Sequence, residues 1–132
     1  MGGEECSDCS ACAASEFDLT KKLGQQQANK VFAKHWQSWF NQSDVDNLVS
    51  LGINSVRIPM GYWIIEGLVE RDSEYYVTGA LDELKRGLRM LKAANITAQL
   101  DMHALPGVSA AYSQFAGHCT GNVQFYVRAS EL

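Results

Sequence analysis

Two short apolar stretches carry side chains that a protein core does not ordinarily keep. The first, INSVRIPMGYW from Ile53 to Trp63, holds Arg57 between Val56 and Ile58, just ahead of Pro59. The second, ITAQLDMH from Ile96 to His103, closes on Asp101 and His103. A guanidinium is costly to bury unless something acidic or sugar-like receives it. An imidazole can donate to a hydroxyl or accept from one. Binding of a polar molecule in a cleft is therefore the first expectation; the competing one is a structural ion-pair network at a sheet end.

The thiols form a second constellation. Cys6, Cys9 and Cys12 crowd the N-terminus as C-x2-C-x2-C, and Cys119 stands far from them. Cluster-binding loops use such spacing, yet no Cys-Pro follows and no second cysteine group completes a two-cluster pattern. A loop forming one or two disulfides is the expectation, with Cys119 a candidate for one of them. Four cysteines allow three complete pairings, and the sequence does not choose among them. Neither a metal nor a cofactor is expected. Two sequons, at Asn41 and Asn95, are candidate N-glycosylation sites and fit a secreted protein.

Composition narrows the class. A chain of 132 residues with 46% hydrophobic content can bury one real core. Its formal net charge of −4 lacks the footprint of a nucleic-acid or acidic-membrane binder, so neither is expected as a partner. No apolar run approaches membrane-span length, and MGGEECSDC is not patterned as a signal peptide.

The elements that must hold Arg57 and His103 follow from periodicity. Ser15 caps a short helix that ends near Gly24, and a longer one starts at Gln25 with an apolar face including Phe32, Trp36 and Trp39. Ser43 is expected to cap a third helix, with Gly52 as its left-handed stop. Ile53–Ile58 reads as a buried strand halted by Pro59, which places Arg57 at its end. A long polar-aromatic connection runs from Met60 to Gly79, and such lengths are usually functional. Leu81, Leu84, Leu88 and Leu91 mark a helix stopped at Asn95, and a second strand runs from Ile96 to His103. Helix–strand alternation with short links predicts a parallel α/β sheet with outer helices. In a β/α barrel the strand C-termini form the active site, so Arg57 and His103 should share one rim. The barrel-facing sides of Val56, Ile58 and Leu100 are expected to stand open.

With these residues in place, GINSVRIPMGYW and ITAQLDMHALPG resemble the second and third strands of glycoside hydrolase family 5. The likeness is closer to the fungal exo-β-1,3-glucanase branch, whose pattern is roughly G-x-N-x-V-R-I-P-x-G-Y-W followed by x-D-x-H-x-x-P-G. It covers about Cys6 to Tyr126, and the motifs are specific when they occur in this order with a helix between them. The resemblance implies a retaining hydrolase on a (β/α)8 TIM barrel, with two glutamates as acid/base and nucleophile. Arg57 matches the arginine that hydrogen-bonds the nucleophile, where its charge would keep that carboxylate ionised. His103 matches the histidine at the sugar subsite, near Asp101. Tyr62 and Trp63 match the aromatic pair after the arginine strand, half core and half cleft wall.

The departures bound what this chain can do. No N-E-P motif is present, and Glu66, Glu70, Glu74 and Glu83 sit in the long loop or on the next helix, where none substitutes for the acid/base. Val108 to Ala111 replaces the Gln-Asn-Gly-like loop of the family. A full barrel needs roughly 250 residues, so the expectation is an N-terminal-half fragment, incomplete at both ends. Residues 1–14 would form a Cys-rich segment and 15–132 a partial barrel. The implied parent is an extracellular or cell-wall β-glucan hydrolase, of β-1,3 type with β-1,6 as the alternative, and the chain itself would be inactive without its catalytic glutamates. Two other readings remain: a non-catalytic carbohydrate-binding remnant using Trp63, Tyr75 and Tyr76, or a small metal or redox module on Cys6, Cys9 and Cys12.

Overall fold

The structure, a computed structural model, describes residue 13 and residues 15–128. Helix α1 (Glu16–Leu23) starts at Ser15, whose hydroxyl accepts from the Asp18 N–H. Helix α2 (Gln25–Trp39) follows directly after Gly24. Helix α3 (Gln42–Ser50) is capped by Asn41 rather than Ser43. The Asn41 side chain accepts from the Ser43 N–H while Asp44 accepts from the Asn41 N–H, a reciprocal box that Ser43 could not form from two residues further on. The remaining regular elements are strand β1 (Ser55–Gly61), helix α4 (Ala80–Ala93), strand β2 (Thr97–Ala104) and a terminal turn of helix α5 (Phe125–Arg128). Asn95, at φ 58°, makes the left-handed stop between α4 and β2.

The two strands pair in parallel, Ser55 opposite Thr97 and Pro59 opposite Asp101. Pro59 does not end β1, which continues to Gly61. With β2 as its single partner strand among the described residues, β1 has a second edge that requires no N–H from proline. Arg57 is accordingly mid-strand, not terminal. Beyond Met60 the register shifts, so that Gly61 faces Ala104 and β2 carries one extra residue.

The faces of β1 are the reverse of the apolar interior expected. Val56 and Ile58 pack towards the helices, on a cluster built around Val45, Leu91 and Ile96. The opposite side carries Ser55, Arg57 and Pro59, and it is exposed and largely polar. Alternation separates two faces, and the helix layer takes the apolar one. Only Leu100, 45% exposed, and Met102, 41% exposed, remain as open apolar positions on β2. Trp36 packs against Ala28, Phe32 and Val77, whereas Trp39 lies largely in solvent. Arg86 of α4 donates to the carbonyls of Trp36 and Phe40, joining α4 to the end of α2, and its Nε is 2.7 Å from Glu83.

The third cluster lies above the strand ends and is aromatic: Phe17, Tyr62, Val69 and Tyr76, with Trp63 and Tyr75 against it. The Trp63 ring stacks on Tyr76 at 4.3 Å, and its Nε1 donates to Glu16 at 3.0 Å. A Cβ on Gly61 or on Gly117 would fall within 2.4 Å of the indole. Trp63 thus occupies a slot that only two glycines leave open. The other Glu16 oxygen accepts from the Val77 N–H at 3.1 Å. Burial pushes the Glu16 carboxyl up to about 7, against the pull of its bonds from Val77 and Trp63.

Two outcomes follow from this packing. Gly61→Ala should cost about 1–3 kcal/mol by overpacking against Trp63. Gly87→Ala, where a Cβ meets only Phe40 at 3.6 Å, should gain about 0.5–1 kcal/mol of helix stability. Urea unfolding of both variants checks the contrast. Because the folded-state pKa of Glu16 exceeds its unfolded value of 4.5, its contribution is complete below pH 4.5 and is lost as pH rises through about 7. The loss amounts to about 3 kcal/mol. Unfolding of Glu16→Gln should lack this component, so the stability difference between variant and wild type should shift by that amount between pH 4.5 and 8.

Candidate active site

Arg57, Asp101 and His103 meet on the polar side of the sheet. The Arg57 Nη2 donates to Asp101 Oδ2 at 2.5 Å and lies 3.5 Å from His103 Nδ1. His103 Nδ1 is 3.0 Å from the same Asp101 oxygen. Arg57 pairs in register with Gln99, so its side chain reaches two positions up β2 to make these contacts. The carboxylate fixes both basic groups on one side of the sheet. Arg57 Nε and Nη1 have no partner among the described residues and remain available to a ligand or to another carboxylate.

Trp63 borders the same region. An open cleft of about 220 Å³ is lined by Glu16, Met60, Trp63, His103 and Phe115. Tyr62 does not join it. That side chain is buried in the aromatic cluster, and its hydroxyl donates to Glu74. Burial, with the bond to Glu74, holds the Tyr62 phenol far above its usual range, which leaves it a neutral hydrogen-bond donor. Tyr75 and Tyr76 belong to this cluster too, Tyr76 stacked beneath Trp63.

The loop glutamates are committed elsewhere. Glu66 accepts from the Gly79 N–H, and Glu74 from Tyr62 and the Glu70 N–H. Each holds the long connection in shape. Sequence reasoning missed Glu16, which reads only as an acidic first-turn residue, and Phe115, which lies in an unpatterned tail. The one signal for the first was the density of aromatics within the Met60–Gly79 connection, which calls for polar partners nearby.

Cys119 is buried and disulfide-bonded, whereas Cys6, Cys9 and Cys12 lie outside the described residues, as does most of the proposed 1–14 segment. Among the described residues no group of three His, Cys, Asp or Glu side chains is arranged to hold a metal ion. No helix among them is long and apolar enough to cross a membrane. Asn41 serves as the α3 cap, and Asn95 is exposed at the end of the sheet opposite the Arg57 cluster. As it stands, the cluster can bind and orient hydroxyls and lower the pKa of an approaching carboxylate, but it supplies no free nucleophile.

Comparison with known proteins agrees with this geometry. The family model described as cellulase (glycosyl hydrolase family 5) matches residues 16–127. A protein of Aspergillus flavus named probable glucan endo-1,6-beta-glucosidase B is 42% identical over 113 residues, which is 86% of this chain and 29% of that protein. A glucan 1,3-beta-glucosidase of Schwanniomyces occidentalis is 35% identical over 100 residues, 76% of this chain and 23% of that one. The crystal structure of rutinosidase from Aspergillus niger superposes with a TM-score of 0.74 at 25% identity, covering 92% of this chain and 33% of that one. The chain thus spans less than a third of the length of these curated relatives. Its helices and parallel strand pair form part of a TIM barrel. With the family model matched over nearly all the described residues, this chain belongs to glycosyl hydrolase family 5.

Proposed function

We propose that this chain is the glucan-binding N-terminal portion of a retaining glycoside hydrolase that acts on β-glucan. Residues 15–132 form the barrel portion and 1–14 a Cys-rich lead. The observation that carries the reading is the Arg57–Asp101–His103 cluster on the polar side of adjacent parallel strands. A barrel enzyme gathers its substrate groups at the C-terminal ends of its strands, and Asp101 and His103 lie in the last half of β2. In this reading Asp101 holds Arg57 and His103 in place, His103 meets a sugar hydroxyl, and the free Arg57 donors keep a nucleophilic carboxylate ionised. The higher identity to a relative named for 1,6-linked glucan, 42% against 35%, favours a β-1,6 over a β-1,3 substrate. The Cys119 disulfide and the sequons at Asn41 and Asn95 support an extracellular or cell-wall location.

Retaining hydrolysis requires two carboxyl groups about 5–5.5 Å apart across the glycosidic bond. Near the cleft the described residues offer only Asp101, tied to Arg57 and His103, and Glu16, tied to Trp63 and Val77. The chain should therefore bind β-glucan without cleaving it. In native gels containing pustulan (β-1,6) or laminarin (β-1,3), the chain should migrate more slowly, and more so with pustulan. Arg57→Ala and His103→Ala should each weaken retardation about tenfold, the scale of one charge-assisted hydrogen bond. No reducing sugar should accumulate from either glucan. Unretarded migration of the wild type in both gels would remove the glucan reading, and release of sugar would show that a catalytic pair lies within the chain after all.

A further inference from the structure

His118 lies face to face on Phe17, with ring centroids 3.8 Å apart and planes inclined by 17°. Phe17 belongs to the first turn of α1, and His118 to the loop after β2. That loop returns on itself where the Tyr112 N–H donates to the Thr120 carbonyl at 2.8 Å. The stretch so enclosed holds Gly117, seated on Trp63, and Phe115, which lines the cleft beside His103. Its Cys119 is disulfide-bonded, so the loop stays tethered whatever its ring contacts do. Between Tyr112 and Thr120, His118 is the one side chain that can change its charge near neutral pH.

The surroundings of the imidazole suit its neutral form. Phe17 is buried and meets Tyr75 and Tyr76 edge-on, so one face of His118 rests on an aromatic wall that offers a cation no hydrogen bond. The charged groups nearby are Asp18 and Lys21 of α1 and Glu74 of the long connection, with the neutral phenols of Tyr62 and Tyr76. Both carboxylates are engaged elsewhere, Asp18 with the Ser15 hydroxyl at 2.7 Å and Glu74 with Tyr62 and the Glu70 N–H. Neither hydrogen-bonds His118 among the described residues. Burial holds the imidazole below its ordinary range, reinforced by Lys21 and opposed by Asp18 and Glu74.

We propose that His118 is a titratable fastener of the cleft-side loop: neutral, it holds the loop to α1 through Phe17, and protonated, it releases it. His118 is a positioning residue, acting on the cleft through Phe115 and Gly117. The inference bears on the β-glucan reading without resting on it. A folded-state pKa below the ordinary 6.5 makes the contact complete above pH 6.5, and it is lost as pH falls through the folded value. Glu16, two residues before Asp18, responds in the opposite sense, so acid loosens the loop while the base of Trp63 stays held.

The test is amide exchange of the chain from about pH 7.5 to about pH 5, corrected for intrinsic rates, with the His118 ring titration followed by proton resonance. Protection of the Tyr112 N–H should be lost along the His118 titration. The Ile96 N–H, bonded to the Leu91 carbonyl in the sheet-side core, should keep its protection and so report that the chain remains folded. His118→Phe retains a ring on Phe17 without the charge and should hold Tyr112 protected across the range. His118→Ala should leave it unprotected at both ends. Wild-type protection that does not change with pH, or the same loss in His118→Phe, would overturn the fastener. Neither readout involves a sugar, so the glucan reading stands or falls separately.

Discussion

The structure above the sheet depends on where one indole ring sits. Trp63 follows β1 by two residues and is gripped from four sides: Gly61 at the strand end, Gly117 in the loop after β2, Tyr76 stacked below it and Glu16 at its nitrogen. These belong to four separate stretches of chain, so the contact joins α1, β1 and both long connections. Its strength comes from fit, an aromatic plane packed where no side-chain carbon fits beside it, together with a hydrogen bond to a half-hidden carboxyl. The Met60–Gly79 connection is ordered for the same reason. Glu66 and Glu74 receive its backbone N–H groups, and Tyr62 and Tyr76 fill its interior.

That arrangement separates two tasks which the sequence places side by side. Tyr62 and Trp63 are adjacent, yet one is sealed in the core while the other bridges core and cleft. The polar cluster stands apart from both. Arg57 and His103 share a single oxygen of Asp101, so the three groups are fixed by one acceptor and not by packing. The polar cluster thus rests on a short ionic contact on one face of the sheet, and rigidity rests on the aromatic stack above the strand ends.

Much of this was legible in the sequence. Arg57 and His103 sit in apolar strands where an ordinary core would place Val or Leu, and that anomaly marks them as candidates, which the structure brings together through Asp101. Helix ends marked by Ser15, Gly52 and Asn95 fell where local backbone rules put them. What could not be read had physical causes. Strand alternation distinguishes two faces without saying which one meets the helices, so Val56 and Ile58 were assigned to the wrong side. Pro59 marks a strand end only when both edges are paired. Asn41 and Ser43 are both good caps, and the choice depended on the reach of the Asp44 carboxylate. Glu16 and Phe115 owe their positions to contacts 47 and 12 residues away along the chain, with Trp63 and His103 respectively, which no local pattern records.

The register shift beyond Met60 also bears on how this fold can diversify. Up to that point the two strands advance in step, and a residue gained or lost would turn every following side chain to the opposite face. The extra residue on β2 ends that dependence just where the ladder gives out at Ala104. Downstream chain is no longer phased by β1, so insertions or replacements between Leu105 and Gln124 need not disturb Arg57 or Asp101. Phase and anchorage are thus carried by different contacts: the ladder keeps Arg57 and Asp101 aligned up to Met60, and beyond it the seating of Gly117 on Trp63 ties the loop back to the frame, so the loop's other residues can vary without rephasing the strands.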